Sequence, residues 1–206
     1  MKLHTGIGPN PRVVKMFIAE KGIDIDRTDV DLMAAENRRA PYTDKNPAGQ
    51  LPCLELDDGS YLSEITAICE YLDEKRPQPP LIGTTPEERA ATRMWTRRID
   101  LNIVEPMANG FRFAEGLPLF KDRVRTIPHA ADDLKAIGRE KLAWLDGLMD
   151  GNQFIAGARF TLADVFLFAF LDFGRTVGQP LDPALRWLTG WFERVAARPS
   201  AAASLP

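Results

Sequence analysis

The order of residues points to an α+β chain in two parts, a small mixed domain of strands and helices followed by an all-α domain. Three observations carry this. Strand-like and helical patterns alternate as far as Tyr71-Leu72; a proline-rich run, Arg76-Pro77-Gln78-Pro79-Pro80, then interrupts the chain; and beyond it every apolar period is helical. The chain has 206 residues, of which 45% are hydrophobic and 27% charged, which fits one or two globular cores and excludes disordered and fibrous classes.

The first strand is the short apolar start at Leu3. Pro9-Asn10-Pro11 breaks it, and Val13, Val14, Phe17 and Ile18 then recur at helical spacing until Gly22. A weak alternation over 23–30 gives a second strand and 51–56 a third. Asp57-Asp58-Gly59 is a hairpin turn leading into Tyr61-Leu62. Ile65, Ile68, Cys69 and Leu72 lie at i, i+3, i+4 and i+7, so a helix with one buried stripe follows and ends before Pro77. The organisation is therefore βαβ plus a hairpin and helix over 1–78, a linker over 79–86 and an all-α domain over 87–206. Helical periods in the latter cover 90–109, 133–149, 162–173 and 183–197, the last with Pro183 at a tolerated first-turn position.

Charge and composition narrow the function. Acidic side chains number 29 and basic ones 26, for a net charge of −3 with no basic run to follow a phosphate backbone, so nucleic acid is not the expected partner. The start lacks an apolar signal core, and the greasy run 165–171 is far short of the roughly 18 residues a membrane span needs, so a cytoplasmic protein with no membrane partner is expected. Two cysteines, Cys53 and Cys69, and two histidines, His4 and His129, suit neither a disulfide framework nor a metal site.

Chemistry concentrates in the first domain. In Asn46-Pro47-Ala48-Gly49-Gln50-Leu51-Pro52-Cys53, a proline opens a strand, which suits an edge or a special turn. A cis bond before Pro52 presents the N–H and C=O of Leu51 to an extended peptide ligand; a trans proline entering an edge strand is the alternative. Leu62-Ser63-Glu64-Ile65-Thr66 places fresh N–H groups at a helix start, suited to a ligand carboxylate or simply capped by Ser63.

Taken together these residues resemble the glutathione transferase family over nearly the whole chain. The resemblance rests on Asn-Pro-x-Gly-Gln-x-Pro at 46–52, on the Asp-Gly hairpin with Glu-x-x-Ala-Ile-x-x-Tyr-Leu at 64–72, and on Phe160-Thr161-Leu162-Ala163-Asp164. The last is also a capping box, Thr161 with Asp164, for a buried helix. The resemblance implies a thioredoxin-like first domain that binds glutathione, an all-α second domain that contributes the electrophile site, and a homodimer acting in detoxification without a metal.

Carried over residue by residue, the resemblance makes Pro52 the cis-proline and Leu51 the backbone partner of the cysteinyl part of glutathione. Glu64 and the N–H of Ile65 hold the γ-glutamyl end, where most relatives have Ser or Thr in place of Ile65. Asn37 and Arg38 fall near the glycyl carboxylate. Gly8 stands where many relatives carry an activating Ser, Thr or Cys, and no tyrosine replaces it. Asn10 then resembles the sulfur donor of bacterial, Nu-like members, with the backbone N–H groups after Pro9 beside it; Thr5 is the nearest hydroxyl. Lowering a thiol from a reference pKa near ~8.5 by about two units takes only ~2.7 kcal/mol, within reach of such donors. Phe111 and Phe113 are the candidates for a wall facing a hydrophobic electrophile. Three functions follow: transfer of glutathione to an electrophile, glutathione-dependent disulfide reduction or peroxidase activity, and non-catalytic binding on the same fold.

Overall fold

The computed structural model describes residues 1–205. Pro206, where the expected second domain ends, lies outside the described residues. The chain divides into two compact units. One comprises Met1–Leu81 with the segment from Arg198 onward, and the other Ile82–Ala197.

The first unit is built on a four-stranded sheet ordered β2-β1-β3-β4, from β1 (Lys2–Thr5), β2 (Asp26–Asp29), β3 (Cys53–Glu55) and β4 (Tyr61–Ser63). Strands β1 and β2 are parallel and β3 and β4 run antiparallel beside them. The parallel pair needs a crossover, and helix α1 (Pro9–Lys21) supplies it. β2 is shorter than the alternation over 23–30 suggests and fully exposed, because it forms one sheet edge with its charged residues in solvent. A single helical turn, α2 (Tyr42–Lys45), lies between β2 and β3, and α3 (Ile65–Lys75) follows β4.

Strand alternation separates two apolar layers. Leu3 and Leu54, paired across β1 and β3, are fully buried, as are Val13, Val14, Phe17 of α1 and Ile68, Cys69, Leu72 of α3, which pack together. Cys53, facing the other way, joins Val30, Tyr42 and Leu51 in a second cluster with Leu32 against it. Lys21 and Asp73, both buried, pair at 2.5 Å; Lys21 also donates to the Pro79 carbonyl and Asp73 accepts from the Leu81 N–H.

Apart from one isolated bridge between Phe154 and Gly157, the regular elements described in the second unit are helices: α4 (Pro86–Ile99), α5 (Glu105–Arg112), α6 (Leu117–Phe120), α7 (Ala131–Leu148), α8 (Leu162–Thr176) and α9 (Arg186–Ala196), with single turns and loops between. Helical spacing suggests one helix over 90–109. The structure instead joins α4 to α5 by a π turn, Asp100–Val104, because Pro106 lacks the N–H that a regular helix would direct at the Asn102 carbonyl. Pro183 does not enter α9. Asp182 accepts from the Ala184 N–H at 2.8 Å and its carbonyl from Leu185, holding Pro183 in a turn before the helix.

α8 runs through the middle of this unit with every residue from Leu162 to Leu171 buried. The Thr161–Asp164 capping box is formed, with the Thr161 N–H 2.9 Å from Asp164 Oδ2. Asp164 Oδ1 accepts from the Ile155 N–H and Trp191 Nε1, so one carboxylate ties a loop, α8 and α9 together. Burial pushes that carboxyl upward while these donors oppose the shift.

The chain returns to the first unit at Arg198 and forms α10 (Pro199–Ala203). The expected division into 1–78, 79–86 and 87–206 differs from the observed units in the linker, which is shared between them at Leu81 and Ile82, and in this last segment, which is held by contacts to α1 that hydrophobic spacing does not reveal. Among the described residues no helix is long and apolar enough to cross a membrane.

Candidate functional site

Register assembles the site. His4 pairs with Cys53 and Cys53 with Ser63, so continuing each strand by one residue sets Thr5, Pro52 and Glu64 in one row at a single end of the sheet. The next residues of β1 and β3, Gly6 and Leu51, are also neighbours. A Cβ on Gly6 would lie 3.0 Å from Leu51 Cδ1 and 2.9 Å from the Val30 carbonyl, so only glycine fits. Helices α1 and α3 both begin at this end, and their positive dipole ends make it suited to anionic groups.

The Leu51–Pro52 bond is cis. Among the described residues the N–H and C=O of Leu51 have no hydrogen-bond partner, although its side chain is buried. The three preceding carbonyls are engaged. Ala48 accepts from Arg38 at 3.3 Å, Gly49 from Asn37 Nδ2 at 2.7 Å, and Gln50 from both Tyr42 at 2.5 Å and Asn46 Nδ2 at 2.8 Å. The loop is therefore fixed from below, with one peptide left open. Tyr42 was not legible as a contributor, since a lone aromatic in a polar segment carries no period; its hydroxyl is pushed upward in pKa by burial. Asn37 and Arg38 reach this loop, and Asn37 Oδ1 is buried without a partner.

Glu64 caps α3 with φ of 70°, one of two non-glycine residues at positive φ among the described residues. That conformation is costly for a residue with a Cβ and concentrates at functional sites. Ser63, the alternative cap, belongs to β4 instead, because strand pairing with Cys53 takes it out of reach of the helix start. Glu64 is exposed, Ile65 is half-buried as the first helical residue, and the first intrahelical bond runs from the Ile68 N–H to the Glu64 carbonyl. The N–H groups of Ile65 and Thr66 thus remain open.

At the start of α1, Gly8 is the cap with φ of 112° and ψ of 170°, a region open to glycine and strained for other residues. A Ser, Thr or Cys at this position would be strained in this backbone conformation. Pro9 and Pro11 remove two of the four N–H groups that a helix start normally exposes, and the Arg12 N–H already serves the Gly8 carbonyl. The expected set of N–H groups after Pro9 is thereby reduced to those of Gly8 and Asn10, plus the Asn10 side-chain amide. Asn10 is half-buried and without a protein partner among the described residues. Thr5 Oγ1 is buried and unpartnered.

In the second unit, Phe111 packs edge-to-face on Phe173 at 5.0 Å and on Phe120 at 6.1 Å, with Gly116 pressed against its ring. Phe111 is half-buried, whereas Phe113 at the end of α5 is 9% exposed. Burial pushes the Cys53 thiol up to about 11 and raises Cys69 as well, so neither is a thiolate nucleophile at neutral pH. Among the described residues no group of three or more His, Cys, Asp or Glu side chains is placed to hold a metal ion.

This sheet, with its cis-proline loop and two helix starts at one end, is a thioredoxin-like domain, and it is joined to a helical domain. The Glutathione S-transferase, N-terminal domain model matches residues 7–75 and the Glutathione S-transferase, C-terminal domain model residues 117–199, and the chain belongs to the glutathione transferase family. It is 30% identical over 202 residues to Glutathione S-transferase 2 of Saccharomyces cerevisiae, covering 95% of this chain and 85% of that one. It is 32% identical over 175 residues to maleylacetoacetate isomerase of Pseudomonas aeruginosa, covering 82% and 78%. Among solved structures, a glutathione S-transferase domain-containing protein of Marinobacter aquaeolei superposes with a TM-score of 0.90 at 34% identity, covering 97% of this chain and 99% of that one. Family membership makes the chain a glutathione-related enzyme of glutathione transferase type.

Proposed function

We propose that the first unit binds glutathione and ionises its thiol, and that the thiolate attacks an electrophilic carbon of a hydrophobic acceptor held by the helical unit. The observation that carries this reading is the open peptide of Leu51 in a loop whose three preceding carbonyls are engaged. An extended peptide pairs with such a group in both directions, N–H to carbonyl and carbonyl to N–H. Glu64 and the open N–H groups of Ile65 and Thr66 take the α-amino and α-carboxylate groups of the γ-glutamyl end, and Arg38 lies on the side of the glycyl carboxylate.

The sulfur then meets the start of α1, where the Asn10 amide and the N–H groups of Gly8 and Asn10 stabilise negative charge. The thiol proton leaves to solvent, the sulfur forms a bond to carbon, and the leaving group departs with its electron pair. Phe111 supplies the more accessible aromatic face for an acceptor, with Phe113 behind it in the core. The reading includes a homodimer in the cytoplasm, a role in detoxification and no metal.

A second reading is supported by the relative named maleylacetoacetate isomerase: the same thiolate adds to an unsaturated acid and leaves again, without net transfer. Disulfide reduction and peroxidase activity also run through glutathione sulfur, since both cysteines are buried with raised thiols. The test is the ultraviolet absorbance of the thiolate during glutathione titration, for the wild type and Asn10→Ala, followed by turnover with an activated aryl halide, a cis-unsaturated diacid and a mixed disulfide. The proposal expects a bound thiolate at neutral pH that Asn10→Ala reduces about tenfold or more. A bound but protonated thiol in the wild type contradicts it.

A further inference from the structure

The segment 198–204 lies along α1 and grips it at both ends. Near the end of α1, Arg198 Nε and Nη2 donate to the two Glu20 carboxylate oxygens at 2.6 and 2.7 Å, and the Ser200 hydroxyl donates to Glu20 Oε1. Near the start, Arg12 Nε donates to Ser204 Oγ at 3.2 Å and Arg12 Nη2 reaches the Ala201 carbonyl at 3.5 Å. Ser204 is fully buried, and its hydroxyl in turn donates to the Ala201 carbonyl at 2.8 Å.

Arg12 is two residues from Asn10, and its own N–H closes the first turn of α1 on the Gly8 carbonyl. That turn is otherwise thinly held, because Pro9 and Pro11 bring no N–H and the cap makes no side-chain bond. We propose that α10 is a positioning element for the sulfur site: by holding Arg12 through Ser204, and Glu20 through Arg198 and Ser200, it fixes the first turn of α1, so that Gly8 and Asn10 stay aimed at the sulfur. This rests on the reading that the start of α1 stabilises the thiolate. Ser204 and Arg12 are positioning residues, acting through Asn10. Placement errors well below 1 Å weaken a stabilising donor, so a contact remote from the sulfur can set its ionisation.

The experiment compares the full-length wild type with Ser204→Ala, Ser204→Thr and Glu20→Gln. Three quantities are read at a temperature where melting curves show each variant folded: the apparent thiol pKa of bound glutathione from thiolate absorbance, KM for glutathione, and Tm. The proposal expects Ser204→Ala and Glu20→Gln each to raise the bound thiol pKa by about half a unit or more, equivalent to about a threefold loss of thiolate below that pKa. KM stays within about twofold, and Ser204→Thr, which keeps the hydroxyl, returns the pKa toward wild type. A fall in Tm with the thiol pKa unchanged overturns the proposal and leaves α10 a stabilising strap. A rise in KM with the pKa unchanged overturns it too, assigning the segment to binding. The parent reading fails separately: a wild type that binds glutathione without ionising it shows this before any variant is measured, and takes the proposal with it.

Discussion

The Tyr42 hydroxyl lies 2.5 Å from the Gln50 carbonyl, one peptide before the Leu51 peptide that has no partner among the described residues. Asn46 donates to the same oxygen from the other end of the loop, so a carbonyl with two lone pairs is saturated by two side chains of the second apolar layer and its rim. Removing one donor leaves the other in place. Tyr42→Phe is therefore expected to cost about 1 kcal/mol of stability, a typical net value for one hydrogen bond. Steady-state kinetics should show KM for glutathione rising about threefold with kcat nearly constant, since the change loosens the binding loop and not the sulfur site.

Gly8→Ser tests whether the absent hydroxyl is a loss of function or a property of the loop. Space is available, as a Cβ would meet nothing nearer than Pro11 Cδ at 4.0 Å, but the backbone at φ of 112° disfavours any side chain. The substitution is expected to lower stability by about 1–3 kcal/mol in denaturant titration, the usual cost of such a conformation. It is also expected to leave turnover no higher than wild type. A gain in thiolate would mean that the loop readily adopts the geometry of its serine-bearing relatives.

Ile65→Ser puts a hydroxyl at the start of α3, where open N–H groups are proposed to hold the γ-glutamyl end. One added hydrogen bond of about 1 kcal/mol predicts roughly fivefold tighter glutathione binding by calorimetry. Weaker binding would show that the side chain at this position does not face the ligand.

Glu20 gives a pH signature. Burial raises its pKa, but the hydrogen bonds from Arg198 and Ser200 and the adjacent guanidinium outweigh this, leaving it below its ordinary 4.5. A folded-state pKa below the unfolded one stabilises at all pH above about 4.5 and is lost as pH falls through the lowered value. The Tm difference between wild type and Glu20→Gln should thus be constant from neutral pH down to about 4.5 and shrink on further acidification.

Much of the fold was legible because its signals are periodic or chemical. The stripe Ile65, Ile68, Cys69, Leu72 and the Asp57-Asp58-Gly59 turn depend on local spacing alone, and both appear where expected. The Thr161–Asp164 box likewise needs only four consecutive residues. What escaped is non-local or stereochemical. The strap of α10 on α1 joins residues some 180 positions apart through single polar contacts. The positive φ of Glu64 is a backbone state that its side chain does not announce, and the π turn before α5 arises from one proline acting on the carbonyl four residues earlier. In the candidate site, the cis bond before Pro52 and the helix start after Glu64 were readable as local patterns, whereas Tyr42 and Asn46 act through contacts to the Gln50 carbonyl that only the folded loop creates.

In the proposed reading the start of α1 and Asn10 ionise glutathione, with glycine at position 8. Calorimetric titration of glutathione in two buffers of different ionisation enthalpy reads that ionisation as a released proton. The expected result is binding with an apparent enthalpy that differs between the buffers by the amount for release of a proton near neutral pH. Binding with the same enthalpy in both buffers, meaning that the thiol stays protonated, would contradict it.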